Sequence, residues 1–157
     1  MPLGPPKHYL FALALAAFSC AANAKREEPA HLNLPADATA VQLAAQREQI
    51  ERAIKNTEQY AELRASDGKR VRDLLDGMAS QLEAAGSLAA LPEADRRALL
   101  EEQDSINAVL GTAYGDSRLV CKREKEIGSN FRRTVCMTVA QRRKMSDDAQ
   151  MMGEAKS

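Results

Sequence analysis

The sequence predicts a mainly α-helical fold, a helical hairpin or small bundle, followed by a disulfide-closed β-hairpin and a short C-terminal helix. Two observations support this fold class. Helix-forming residues with apolar side chains at helical spacings dominate residues 38–113. The stretch after them is symmetric about Gly128-Ser129, with six residues between Cys121 and Gly128 and six between Ser129 and Cys136.

The first helix is predicted to begin at a capping box, with Thr39 as the N-cap residue and Gln42 three positions later. Its helical composition continues to about Ala65. Ser66 and Asp67 lead to Gly68, which suits the left-handed conformation of a helix C-cap. We therefore expect one helix from residue 40 to about residue 65.

Two more helices follow in the predicted helical region. The second has the clearest apolar stripe, formed by Val71, Leu75, Met78, Leu82 and Ala85, and Gly86 ends it. The third starts near Pro92 and ends at Gly111. These narrow stripes leave two architectures open, a compact bundle and an extended helical hairpin that forms a homodimer.

The symmetric stretch predicts a β-hairpin whose strands are joined by Gly128 and Ser129. Gly followed by Ser suits a two-residue type II′ turn, because glycine adopts positive φ at little cost. Cys121 then faces Cys136, and a disulfide between them is expected. Counting from this turn makes the cysteines a hydrogen-bonded pair, although side chains approach more closely at non-hydrogen-bonded pairs. A bulge or a longer loop would remove that conflict.

The N-terminal residues have the order of a secretory signal. Lys7 precedes the apolar run 9–18, and Ala22-Asn23-Ala24 supplies the small residues of a cleavage site. We expect cleavage after Ala24, a periplasmic or secreted location, and no transmembrane helix in the mature chain. A lipid anchor at Cys20 is the alternative. Cleavage after Ala24 leaves two cysteines, an even number in an oxidising compartment.

Charge is distributed unevenly along the mature chain. Residues 25–117 have a net charge of −6, and residues 118–144 have a net charge of +7. The candidate anion-binding residues are Lys122, Arg123, Lys125, Arg132 and Arg133. This basic module is open to three interpretations: a surface that binds an anionic partner, a solvated edge that resists aggregation, or a surface that docks on the acidic helices.

No residue pattern in the sequence predicts catalysis. The nucleophile, metalloprotease, P-loop and dinucleotide motifs are absent. His31 is the only histidine after residue 24, so a zinc site cannot be assembled from Cys and His, and no metal or cofactor is expected. The acidic pairs Glu101-Glu102 and Asp147-Asp148 are expected on solvated helix surfaces, because adjacent residues point to different sides of a helix.

These observations divide the chain into six parts. They are a signal peptide (1–24), a flexible leader (25–37), a helical region (38–113), a linker (114–117), the basic hairpin with a short helix (118–150) and a frayed tail (151–157). A second capping box, Thr138 with Gln141, is predicted to start the short helix.

The pattern C-x6-G-S-x6-C, followed by Met137-Thr138 and a charged helix, resembles the C-terminal module of small uncharacterised exported proteins of Gram-negative bacteria. The resemblance covers about a quarter of the mature chain and implies export and a shared module, without an activity. A weaker likeness is to periplasmic chaperones of the Spy and CpxP type, whose motif is Leu-Thr-x-x-Gln. Here Met137 stands in the Leu place, and a capping box explains the pattern equally well.

The first functional hypothesis is a non-enzymatic interaction or structural protein. Its basic hairpin would bind an anionic envelope component or a protein partner, and nucleic acid is not expected. The alternative is a small periplasmic holdase chaperone that binds clients on the apolar stripe of residues 71–85.

Overall fold

A computed structural model of the chain describes residues 28–125, 128 and 130–154. The elements in chain order are α1 (Ala40–Ile54), α2 (Ala65–Ala85), a single 3₁₀ turn (Leu88–Ala90), α3 (Glu93–Ser117), β1 (Leu119–Lys125), β2 (Arg132–Thr138) and α4 (Val139–Glu154). The two strands form one antiparallel hairpin. The predicted fold class is therefore confirmed. Ala22, Ala24 and the rest of the predicted signal lie outside the described residues.

The hydrophobic core lies among α1, α2 and α3. The predicted stripe of α2 faces inward, and Val71, Leu75, Met78 and Leu82 are each at most 1% exposed. Their spacing of four, three and four keeps these side chains on one side of the helix. The other helices add side chains to the same cluster: Leu43, Ile50, Leu99, Ile106 and Leu110. One shared core favours the bundle over the extended helical hairpin.

The chain between α1 and α2 differs from the prediction of one helix reaching residue 65. Helix α1 starts at the predicted capping box, where the Thr39 N–H donates to Gln42 Oε1 at 2.9 Å. It ends at Ile54, because Asn56 Oδ1 accepts the backbone N–H groups of Glu58 and Gln59 at 3.0 and 3.3 Å. A side-chain turn of this kind competes with helix formation. Gly68 is not a cap but a buried residue of α2.

Helix α3 continues where the sequence predicts a stop at Gly111 and a linker over residues 114–117. Ala113 and Ser117 are buried. The Ser117 hydroxyl donates to the Ala113 carbonyl at 2.7 Å and accepts the Glu62 N–H at 2.9 Å. The cost of one glycine in a helix is about 1 kcal/mol, and tertiary packing of this kind readily offsets it.

The predicted flexible leader is packed on the helices where the structure describes it, over residues 28–37. Leu32 and Leu34 are 0% and 7% exposed. Asn107 of α3 accepts the Leu32 N–H at 2.8 Å and donates to the Leu32 carbonyl at 2.9 Å. This segment therefore belongs to the core, and only residues 25–27 of the leader lie outside the described part.

The predicted frayed tail begins too early. Helix α4 includes Met151 and Met152 and ends at Glu154, while residues 155–157 are outside the described part. Residues 143–153 are all exposed. Within the described ranges, no helix is both long and apolar enough to cross a lipid bilayer.

Candidate anion-binding hairpin

The hairpin has the predicted register, and a disulfide joins Cys121 to Cys136. Gly128 has φ of 83°, as a turn glycine requires, and Ser129 is outside the described residues. The two cysteine Cα atoms are 4.0 Å apart, the short spacing of a non-hydrogen-bonded pair. Beside the first pair of the ladder, Leu119 and Thr138, Val139 donates its N–H to the Arg118 carbonyl at 3.0 Å. Because hydrogen-bonded and non-hydrogen-bonded pairs alternate along antiparallel strands, counting from this bond also makes Cys121 and Cys136 a non-hydrogen-bonded pair. The hydrogen-bonded class that we expected from a two-residue turn is therefore wrong.

The base of the hairpin is fixed to the helical body. Thr138, the last residue of β2, is 5% exposed, and its hydroxyl donates to Glu62 Oε1 at 2.6 Å. The predicted second capping box is present, since Thr138 and Gln141 exchange two hydrogen bonds of 3.1 Å. These contacts join β2 and the first turn of α4 to the turn between α1 and α2.

Two arginines of α4 make further contacts, Arg142 with the hairpin and Arg143 with α3. Arg142 donates to the Val120 carbonyl at 3.0 Å and to the Val135 carbonyl at 3.3 Å, and it lies 3.7 Å from Glu124. Arg143 pairs with Asp116 near the end of α3. Both arginines are part of the basic module in the sequence. The interpretation that the module docks on the acidic helices is thus supported for Arg143, whereas Arg142 binds within the module and the five candidate anion-binding residues are all on the strands.

The five candidate residues divide between the two faces of the hairpin. Side chains alternate along a strand, and directly paired residues share a face. Arg123, Lys125 and Arg132 lie on the face that carries the disulfide, which we call the disulfide face. Lys122 and Arg133 lie on the opposite face, with Glu124, whose carboxylate is near Arg142 of α4. The structure therefore separates the candidates into a group of three and a group of two.

Among the described residues, the disulfide face concentrates positive charge that no carboxylate neutralises. Lys125 is directly opposite Arg132, an arrangement of like charges that destabilises a strand pair. Arg123 is opposite Thr134. All three cations are exposed, and none forms an ion pair with a carboxylate in the part of the chain that the structure describes. On the other face, Arg133 is opposite Glu124, which is a favourable pair.

A ligand with several negatively charged oxygen atoms fits this arrangement. An anion between Lys125 and Arg132 would replace their repulsion with two attractions, and arginine binds phosphate or carboxylate through two parallel N–H···O bonds. The disulfide and the fixed base hold the cations on a defined scaffold. Sequence reasoning named these five residues but missed their separation into two faces, which follows from the register.

Apart from the hairpin, a concave surface lies between α2, α3 and the start of α4. This open groove has a volume of about 540 Å³. Its charged walls are largely paired, because Arg64 binds Asp67, Asp116 binds Arg143, and Glu62 accepts from Thr138. Across the described residues, no group of three or more His, Cys, Asp or Glu side chains could hold a metal ion. The groove has less uncompensated charge than the hairpin.

No protein-family model matches the chain, and comparisons with curated proteins and with solved structures find no significant match.

Proposed function

We propose that the chain is an exported, non-enzymatic interaction protein that binds an anionic partner on the disulfide face of its hairpin. The like-charged pair Lys125 and Arg132 is the observation that carries this proposal, because it is unfavourable unless a ligand supplies negative charge. The signal pattern and the disulfide support export to an oxidising compartment. An anionic component of the cell envelope or an acidic protein has the required chemistry.

Preorganisation is the reason why a disulfide-closed hairpin suits this task. Binding loses less free energy when the interacting side chains already stand on a fixed backbone. The contacts of Thr138 and Arg142 orient the hairpin relative to the helices. The acidic body then repels the same ligand, so that binding is confined to the hairpin.

The holdase alternative has less support. It requires an exposed apolar stripe on residues 71–85, and the large side chains of that stripe form the core instead. In the folded chain they are not available to a client protein.

Arg132 and Arg133 provide a test with an internal control. The two residues are adjacent and exposed, and charge reversal changes the net charge equally, but they lie on opposite faces. The oxidised protein is titrated with labelled polyglutamate at low and high salt. Arg132→Glu is expected to weaken binding by about tenfold or more, since an attraction becomes a repulsion. Arg133→Glu should have a much smaller effect, and wild-type binding should decrease with salt.

Stability measurements on the same two variants distinguish binding from structural effects. Arg132→Glu relieves the repulsion with Lys125 and should leave stability unchanged or raise it by a few tenths of a kcal/mol, whereas Arg133→Glu removes a favourable pair. Binding that is absent at low salt, or equal losses of binding in the two variants, would contradict the proposal.

A further inference from the structure

We propose that the anionic partner of the hairpin is a lipid membrane surface, on which Phe131 at the tip inserts among acyl chains while Lys125 and Arg132 bind headgroup phosphates. This inference rests on the proposed function, because it names the ligand of the same cations. It adds one residue, Phe131, that an anion-binding site alone does not need. It also gives the hairpin a direction of approach, with the tip towards the membrane.

The tip is well separated from the helical core. Each strand has seven residues, and a rise of about 3.3 Å per residue gives a hairpin roughly 20 Å long. Thr138 at the base is 5% exposed, whereas Phe131 at the other end is 83% exposed. Phe131 is therefore exposed at the end of the hairpin opposite its buried base.

The order of side chains along the hairpin matches the order of layers in a bilayer. Phe131 directly precedes Arg132, which is paired with Lys125, and Arg123 stands two residues further back. An aromatic ring at the headgroup level with basic residues beside it is typical of peripheral membrane binding. Two neighbouring cations at the first strand pair then lie at the level of the phosphates, and Arg123 adds a longer-range attraction to the anionic surface.

Phe131 is the feature that favours a lipid surface over a soluble polyanion. A soluble anionic polymer or an acidic peptide gains its free energy from the cations and needs no apolar contact. A bilayer offers both phosphates and an apolar phase within a few ångströms of each other. The large exposed ring of Phe131, one residue before Arg132 in the sequence, therefore has a use on a membrane.

The test compares vesicles with a soluble polyanion, using the oxidised protein. The vesicles are 30% phosphatidylglycerol in phosphatidylcholine or phosphatidylcholine alone, and polyglutamate is the soluble probe. We expect binding to the anionic vesicles, weak binding to the neutral ones, and about a tenfold loss of vesicle affinity in Phe131→Ala, from the apolar area withdrawn. Polyglutamate binding should be the same in this variant. Val41→Ala is the matched control, since Val41 is 79% exposed on α1.

A fluorescence measurement reports insertion directly. The chain contains no tryptophan, so Phe131→Trp introduces a single tryptophan at the tip. Its emission should shift to the blue on anionic vesicles and remain unchanged with polyglutamate. Leu119→Trp is the control, because Leu119 is 64% exposed at the base of the same hairpin and should show no shift.

The outcomes separate this inference from the proposed function. Binding to polyglutamate without binding to anionic vesicles, or unchanged vesicle affinity in Phe131→Ala, would overturn the membrane inference and leave the anion-binding proposal intact. Binding to neither probe would overturn both.

Discussion

Thr138 and Glu62 join two parts of the chain that are 76 residues apart, through a hydrogen bond of 2.6 Å from the Thr138 hydroxyl to the Glu62 carboxylate. The backbone N–H of Glu62 also donates to Ser117 Oγ at 2.9 Å. The turn between α1 and α2 thus holds the end of β2 beside the end of α3. Among the described residues of the two strands, Thr138 alone is buried. The orientation of the hairpin therefore depends strongly on this contact.

Thr138→Val should lower the free energy of unfolding by roughly 1.5–3 kcal/mol. It keeps the side-chain shape but removes a hydrogen bond to a charged group and one half of the capping box. Urea unfolding measures the change. Thr134→Val is the control, since Thr134 is exposed on the same strand and should change stability by less than about 0.5 kcal/mol. Equal effects of the two substitutions would show that the contact with Glu62 contributes little.

Asn107→Ala should release the packed leader. The amide of Asn107 satisfies both backbone polar groups of Leu32, and leaving them unpaired costs about 1–3 kcal/mol. Limited proteolysis should then cut before α1, and urea unfolding should show the loss of stability.

Gln46→Ala is the matched control for this prediction. Gln46 forms the same two-bond contact with the backbone of Asn33, but at an exposed position where water can replace it. Its effect should be less than about 0.5 kcal/mol. A leader that stays resistant to protease in Asn107→Ala would indicate that the apolar contacts of Leu32 and Leu34 are sufficient.

Tyr60 gives the folded state a dependence on alkaline pH. The residue is 4% exposed, and burial raises the pKa of its phenol above the usual 10.0, although the hydrogen bond from the Ala30 N–H opposes that shift. The unfolded chain therefore loses this proton at a lower pH than the folded chain. The stabilisation that comes from the raised pKa of Tyr60 is complete below pH 10.0. It is lost as the pH rises through the higher pKa of the folded state.

Tyr60→Phe should test that dependence. At neutral pH the variant should be less stable, because the Ala30 N–H loses its acceptor. Above pH of about 10 the difference from wild type should narrow, since phenylalanine does not titrate. Urea unfolding at pH 8 and at pH 10.5 measures both. Equal decreases in the free energy of unfolding between the two pH values, in the variant and in the wild type, would contradict the role of Tyr60.

Local signals in the sequence predicted local structure well. The capping boxes at Thr39 and Thr138 need only residues three positions apart, and both are present. The register of the hairpin followed from the symmetric spacing of Cys121 and Cys136 about Gly128-Ser129. The inward side of α2 followed from its apolar spacing. In each case the interacting residues are close in sequence, so the pattern itself contains the contact.

The missed features depend on partners distant in sequence or on competing local preferences. The leader was predicted to be flexible because its composition is polar. Its hydrogen-bond partner, Asn107, is 75 residues away, so the sequence around the leader does not show the contact. The alternation of Leu32 and Leu34 with polar residues was a signal that could have identified it. Asn56 gave a turn signal that the surrounding helix-forming residues outweighed. The continuation of α3 through Gly111 depends on packing, which no local pattern records.

Removal of the disulfide should affect the hairpin far more than the helical body. The bond closes a sequence interval of 15 residues, and its loss costs about 3 kcal/mol in the chain-entropy model. In Cys121→Ala/Cys136→Ala, amide hydrogen exchange should accelerate in β1 and β2 while α1, α2 and α3 keep their protection, because their core contains no side chain of β1 or β2. Wild-type protein, mapped without reduction, should yield one linked peptide.

The variant retains every cation, so it should still bind polyglutamate in a salt-sensitive manner but more weakly, since the hairpin must be ordered on binding. Equal loss of protection in the helices would show instead that the hairpin and the core unfold as one cooperative unit.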